Sequence, residues 1–107
     1  MGRDQKEALS LIRRGTNKCN CSHYLDALLS FAEATKLDPN NAEAWHGMGI
    51  ALAHLGQCYK ALTMFDKAIE LNPKYADAWH GKGAPLHDLD RYDDALAAYD
   101  RAIEIDP

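Results

Sequence analysis

Four of the chain's histidines, His46, His54, His80 and His87, fall within 42 consecutive residues, and His46 and His80 stand 34 apart. Imidazole ligates transition metals and titrates near neutrality, so such a set invites a metal site or a proton-sensitive contact. A zinc site needs four donors in tight tetrahedral array, whereas packed helices hold their axes roughly 9–10 Å apart. The shared spacing therefore reads as polar side chains copied with a repeat, with a pH-sensitive partner contact as their remaining chemistry. Cys19-Asn20-Cys21-Ser22-His23 resembles part of a metal knuckle, but its one-residue gap is short and no second ligand pair follows. Cys21 shares a register with Leu55 and Leu89, which marks it as a core position, and Cys19 is the better placed of the pair for thiol chemistry. The Ser and His residues have no nucleophile-elbow context, and no Gly-rich loop follows a strand. These residues give no metal, no cofactor and no enzyme.

What must position them is a repeat. Pro39, Pro73 and Pro107 are 34 residues apart, and the same spacing links Ala8, Ala42 and Ala76; Gly15, Gly49 and Gly83; Ala27, Ala61 and Ala95; and Phe31, Phe65 and Tyr99. Residues 42–73 and 76–107 are identical at 15 of 32 places. A fixed period of this length signals a stacked array in which each unit buries its apolar face against the next. The expected division is a lead-in over 1–7 and units over 8–41, 42–75 and 76–107.

Each unit carries the helical period twice. Trp45, Met48, Gly49, Leu52 and Leu55 mark one face of a first helix, and Ala61, Leu62, Phe65, Ala68 and Ile69 mark the stripe of a second. Proline then closes the unit. Helices are expected near 5–20, 24–37, 42–55, 58–71, 76–88 and 92–105, with no strands. Asp4 and Glu7 have capping-box spacing for the first. Three glycines at one helical register, each costing roughly 1 kcal/mol against alanine, imply close approach of the two helices in a unit. Phe31, Phe65 and Tyr99 would then reach toward the following unit.

The totals narrow the setting. The chain has 107 residues, 47% hydrophobic and 26% charged, with a net charge of −4. That balance is globular and lacks the basic surface of a nucleic-acid binder. Acid is concentrated late, with eight Asp/Glu against three Lys/Arg in 76–107. No apolar run approaches the ~20 residues of a membrane span, and the first residues lack a secretory pattern. An odd number of cysteines outside the repeat fits a reducing, cytoplasmic compartment.

The pattern Trp45…Gly49…Leu52…Ala61…Phe65…Ala68…Pro73, repeated as Trp79…Gly83…Leu86…Ala95…Tyr99…Ala102…Pro107 with a weaker copy from Leu11 to Pro39, resembles the tetratricopeptide repeat family. The resemblance implies an all-α, right-handed superhelical solenoid of helix-turn-helix units whose first helices line a concave groove for partner proteins. It places Leu9, Ile12, Thr16 and Cys19 on the groove in the first unit, and Glu43, His46, Ile50, Ala53 and His54 in the second. In the third it places Asp77, His80, Ala84, His87 and Asp88 there, with His46 and His80 as near neighbours. Members that clamp chaperone tails carry Lys, Asn, Asn, Lys and Arg where this chain has Ile12, Thr16, Gly47, Asp77 and Gly81. That difference argues against an acidic chaperone C-terminal tail and favours a ligand with an apolar edge and basic or N–H donor groups.

Two departures stand out. Pro85 lies inside the fifth helix, where it either kinks the helix or breaks it and loosens the last unit. The sequence also stops after the sixth helix, leaving Tyr99, Ala102 and Ile103 with nothing to lean on. That suggests a piece of a longer scaffold, or an end that associates with itself. The reading is a non-catalytic protein-interaction module. A structural spacer that stacks through its last repeat is the alternative.

Overall fold

A computed structural model describes residues 2–107. Every regular element among them is helical: α1 (Arg3–Asn20), α2 (Tyr24–Leu37), α3 (Ala42–His54), α4 (Cys58–Leu71), α5 (Ala76–Gly81), α6 (Gly83–Asp88) and α7 (Tyr92–Ile105). Each helix packs against the next in the chain, and α1 also meets α3, as α3 meets α5. First helices therefore line one side of an elongated body measuring 42 × 26 × 20 Å. The helix α1 starts at Arg3, inside the expected lead-in. Asp4 sits within its first turn, so the expected Asp4/Glu7 capping box is not formed; the Gly2 N–H instead donates to the Gln5 amide oxygen at 3.3 Å.

The fifth helix is divided. Pro85 has no N–H for the Gly81 carbonyl, and the helical pattern lapses at Lys82. Lys82 keeps right-handed helical angles (φ −68°, ψ −23°), and its carbonyl accepts from Leu86 at 3.1 Å. Pro85 itself is fully buried and Leu86 is only 3% exposed. Proline has interrupted the ladder for one turn without undocking the unit.

The period recurs in details too small to read from the sequence pattern. Ser22, Gly56 and Asp90, 34 residues apart, all have positive φ (62°, 80° and 61°). Beside each, an N–H closes back on the end of the first helix: His23 to Lys18, Gln57 to Leu52 and Arg91 to Leu86, at 2.8–2.9 Å. This is the left-handed helix stop that glycine favours. Between units, the indole N–H of Trp45 donates to the Pro39 carbonyl at 2.8 Å, and that of Trp79 to the Pro73 carbonyl at 3.1 Å. The tryptophans thus fix the turn that the prolines open.

Aromatic rings set the distance between units. Phe31 and Phe65 are 2% and 0% exposed, and each ring lies between two glycines. A Cβ on Gly15 would meet the Phe31 ring at 2.8 Å, and one on Gly47, from the next unit, would come closer still. A Cβ on Gly49 would meet Phe65 at 2.7 Å, and one on Gly81 at 2.6 Å. Tyr99 has only the first half of this arrangement, pressed on Gly83. The small residues serve ring insertion between helices, which is why a costly glycine recurs in helix interiors.

Two core expectations need correction. Cys21 is exposed, because it caps α1 at the turn where its register has already left the packed face. Ala102 is buried at 7% exposure by its own unit, so the open face of α7 is carried by other residues.

Candidate functional site

The side lined by α1, α3 and α5–α6 carries a row of hollows. The first, about 270 Å³, is lined by Thr16, Cys19, Glu43, His46, Tyr75 and Asp77, with Phe31, Gly47 and Ile50 as its floor. The second, about 220 Å³, is lined by Ala53, His54, His80, Ala84 and Tyr99 over Phe65 and Gly81, and it shares Ile50 with the first. A third hollow toward the N-terminus, about 350 Å³, holds Leu9, Ile12, Arg13 and Asn17, and shares Thr16 and Glu43 with the first.

Of the fourteen residues expected at the groove, all but His87 and Asp88 therefore line one continuous surface, among them Ile12, Thr16, Glu43, His46, Ile50, His54, Asp77, His80 and Ala84. They do not contribute equally. Ile12 is buried at 4% exposure and mainly supports the core. The His54 ring stacks on Tyr24 at 4.2 Å. His87 stands apart: it lines none of these hollows, meets Tyr92 edge-on at 5.1 Å, and has Nδ1 3.9 Å from Asp88. His46 and His80, expected as near neighbours, line different hollows. His46 lies against Tyr75 at 5.1 Å and Phe65 at 5.7 Å, and His80 against Tyr99 at 5.2 Å. Among the described residues no group of three or more His, Cys, Asp or Glu is arranged to hold a metal ion.

Electrostatics distinguish the first hollow. Glu43 and Asp77 lie in the first turns of α3 and α5, where a carboxylate complements the helix dipole. Neither is in an ion pair among the described residues. Burial lowers the His46 pKa below its usual 6.5, while the nearby Asp77 opposes the shift. Burial, with Glu43 and Asp77 adding, pushes the Tyr75 phenol up to about 12. At neutral pH the hollow thus presents a neutral imidazole and a phenol O–H beside two carboxylates, above an aromatic floor. Cys19, on its wall, has its thiol pushed up by burial, which works against thiolate reactivity.

Tyr75 was missed from sequence because its counterpart one unit earlier is Asn41. Periodicity finds what repeats, and Tyr75 does not. Its signal was a lone aromatic in a linker beside the first-turn acid Asp77.

The helix pairs, the ring spacers and the lining of first helices match one architecture. A family model for the tetratricopeptide repeat matches residues 40–107. The chain belongs to the tetratricopeptide repeat family. Its fold is accordingly the all-α, right-handed solenoid of that family. No curated protein sequence matches the chain. Among solved structures, the TPR2B domain of yeast Sti1 in complex with an Hsp70 peptide is 26% identical, with TM-score 0.90, covering 94% of this chain and 81% of that one. The Sgt2 TPR domain from Aspergillus fumigatus is 27% identical, with TM-score 0.87 and coverage of 92% and 66%. The first TPR of Spaghetti (RPAP3), bound to the HSP90 peptide SRMEEVD, is 24% identical with TM-score 0.92 and coverage of 96% and 82%. The expectation that sets acidic chaperone tails aside gains no support from these likenesses, since two of the three structures hold chaperone peptides. Among the described residues no helix is long and apolar enough to cross a membrane.

Proposed function

We propose that this tetratricopeptide chain is a protein-interaction module that holds a peptide or helix of a partner protein along the groove. The division into units over 8–41, 42–75 and 76–107 belongs to this reading, and the three free thiols support a reducing, cytoplasmic setting. The observation that carries it is the first hollow, where two unpaired carboxylates from successive first helices flank Tyr75 and His46 above Phe31. A Lys, Arg or N-terminal ammonium would meet Glu43 and Asp77, accept no proton, and extend its stem over Ile50. Residues further along the ligand would lie on His80 and Ala84, and Thr16 would meet its other end. Ile12 shapes the floor beneath Thr16, and His54 borders the far end.

Selection from a random peptide library tests this, with the wild-type chain beside the Glu43→Gln/Asp77→Asn variant. Enrichment of Lys or Arg on wild type, with affinity falling tenfold or more on the variant, is the expected outcome; the scale is about 1.5–3 kcal/mol for a hydrogen bond to a charged group. The peptide SRMEEVD serves as the acidic arm. Tighter binding of that peptide than of any basic one would overturn the assignment of ligand charge.

A second reading, a structural unit that stacks through its last helix, is favoured by one observation. Leu96 and Ile103 on α7 are 61% and 60% exposed.

A further inference from the structure

Two hollows of unlike chemistry lie side by side in the groove, with a ridge between them. The first lies between α1 and α3, with Thr16, Cys19 and Asn20 on one wall and Glu43 and His46 on the other. The second lies between α3 and α5–α6, with Ala53 and His54 on one side and His80 and Ala84 on the other. His46 and Ile50, one turn apart on α3, form the ridge. Ile50 lines both hollows, and the His46 ring lies 5.1 Å from Tyr75 on one side and 5.7 Å from Phe65 on the other.

The chemistry changes across that ridge. Glu43 and Asp77 border the first hollow. None of the described residues around the second is Asp, Glu, Lys or Arg; alanine side chains and aromatic rings surround it over Phe65. An unpaired cation would be desolvated there without a partner, whereas an apolar side chain would lose only water. A ligand that crosses the ridge must therefore pass from a basic residue to an apolar one.

The repeat fixes how far apart those residues stand. The floors Phe31 and Phe65 are equivalent residues 34 apart, so the hollows recur at the spacing of successive first helices, roughly 8–10 Å. A β-strand presents same-face residues about 6.6–6.8 Å apart, or about 13 Å at the next pair, and misses on both sides. A polyproline II chain has three residues per turn and rises about 3.1 Å per residue, so i and i+3 share a face about 9 Å apart. An α-helix reaches about 10.5 Å with i and i+7.

The rims decide between the last two. Thr16, Asn20, His54 and His80 are exposed along them, and all can hydrogen-bond. The Thr16 hydroxyl donates to the Ile12 carbonyl at 2.9 Å, which leaves its oxygen free to accept a ligand N–H. An extended backbone needs such partners for its N–H and C=O groups, while a helix has already paired its own. Hollows of about 270 and 220 Å³ also suit single side chains on a narrow strand.

We propose, building on the ligand charge assigned to the first hollow, that the groove recognises a polyproline II segment of a partner protein. Its basic residue enters the first hollow, and an apolar residue three positions away enters the second. His46 and Ile50 act as the specificity-determining ridge, since they set the required spacing.

The probes are acetylated, amidated peptides with Arg and Leu separated by one, two or three prolines, made in both orders and titrated into the full chain. The two-proline spacing should bind best in at least one order. It should exceed the one- and three-proline peptides, and its own Leu-to-Ala version, by tenfold or more. Ala84→Leu, at an exposed site, fills the second hollow; it should erase that advantage while leaving the Leu-to-Ala peptide and the melting temperature unchanged. Glu43→Gln/Asp77→Asn should weaken every arginine peptide in parallel. Arginine-dependent binding with no optimum in spacing would overturn the two-hollow proposal and leave the ligand charge standing. Failure of every arginine peptide at millimolar concentration would overturn both. Tighter binding of a helix-locked peptide with Arg and Leu seven apart would also contradict the proposal, because the occupant would then be a helix.

Discussion

Two hollows of the groove, one over Phe31 and one over Phe65, can be superposed residue by residue, 34 apart. Phe31 becomes Phe65, Gly47 becomes Gly81 and His46 becomes His80, so floor, back and one wall are repeated. The remaining positions diverge: Thr16 becomes Ile50, Cys19 becomes Ala53 and Ile50 becomes Ala84. Of these two hollows, the first is bordered by Glu43, Tyr75 and Asp77, and there burial and the neighbouring carboxylates push the Tyr75 phenol up to about 12. The parts that join unit to unit are constrained by packing and recur. The parts that face solvent are free to differ, and there the polarity of the groove changes from one unit to the next.

Breaking the shared skeleton should have the largest effect. Phe65→Ala removes a fully buried ring held between Gly49 and Gly81, and should cost about 3–5 kcal/mol in denaturant unfolding. Tyr99→Ala should cost well under half of that, since its ring has a glycine on one side only. Equal losses would mean that the rings are not spacers between units.

The divergent part is sharpened by pH. Because burial lowers the His46 pKa in the folded chain, the unfolded chain takes up this proton first as pH falls below about 6.5. The contribution of neutral His46 is therefore present above that pH and is lost as pH falls toward the folded value. His46→Gln should flatten the fall in unfolding free energy below pH 6.5. An unchanged slope would contradict the burial of His46 in the first hollow.

The smallest effect concerns the turns, where repeated geometry carries unrepeated residues. Ser22 holds a left-handed conformation that its counterpart Gly56 adopts freely. Ser22→Gly should stabilise by about 1 kcal/mol or less. Asp90→Gly should gain less again, because the Asp90 carboxylate accepts from the Tyr92 hydroxyl at 2.8 Å. A loss of melting temperature in Ser22→Gly would show that the serine is doing more than tolerating the turn.

What was legible in the sequence follows from the same division. Helices at 24–37, 58–71 and 92–105 lie where the apolar stripe and the closing proline placed them, because buried faces and turns leave periodic marks. The groove wall was legible through register, down to Thr16, Glu43, His46, Ile50 and Asp77. Register failed where a side chain's surroundings do not repeat. His87 turns toward Tyr92, which has Tyr24 and Cys58 as counterparts. Cys21 lies past the packed face, and Tyr75 enters the groove from a linker. The kink at Pro85 was foreseeable as an interruption. That the unit stays docked depends on how deeply Pro85 and Leu86 are buried, which no local pattern encodes.

The most direct test of groove recognition is amide shift mapping during titration with the tightest peptide selected on the wild-type chain. The account predicts the largest shifts at Thr16, Glu43, His46, Tyr75 and Asp77, with smaller ones at His80 and Ala84 and none on the exposed faces of α2 and α4. Shifts centred on residues such as Glu33, Lys60 or Thr63, with the first hollow unperturbed, would contradict it.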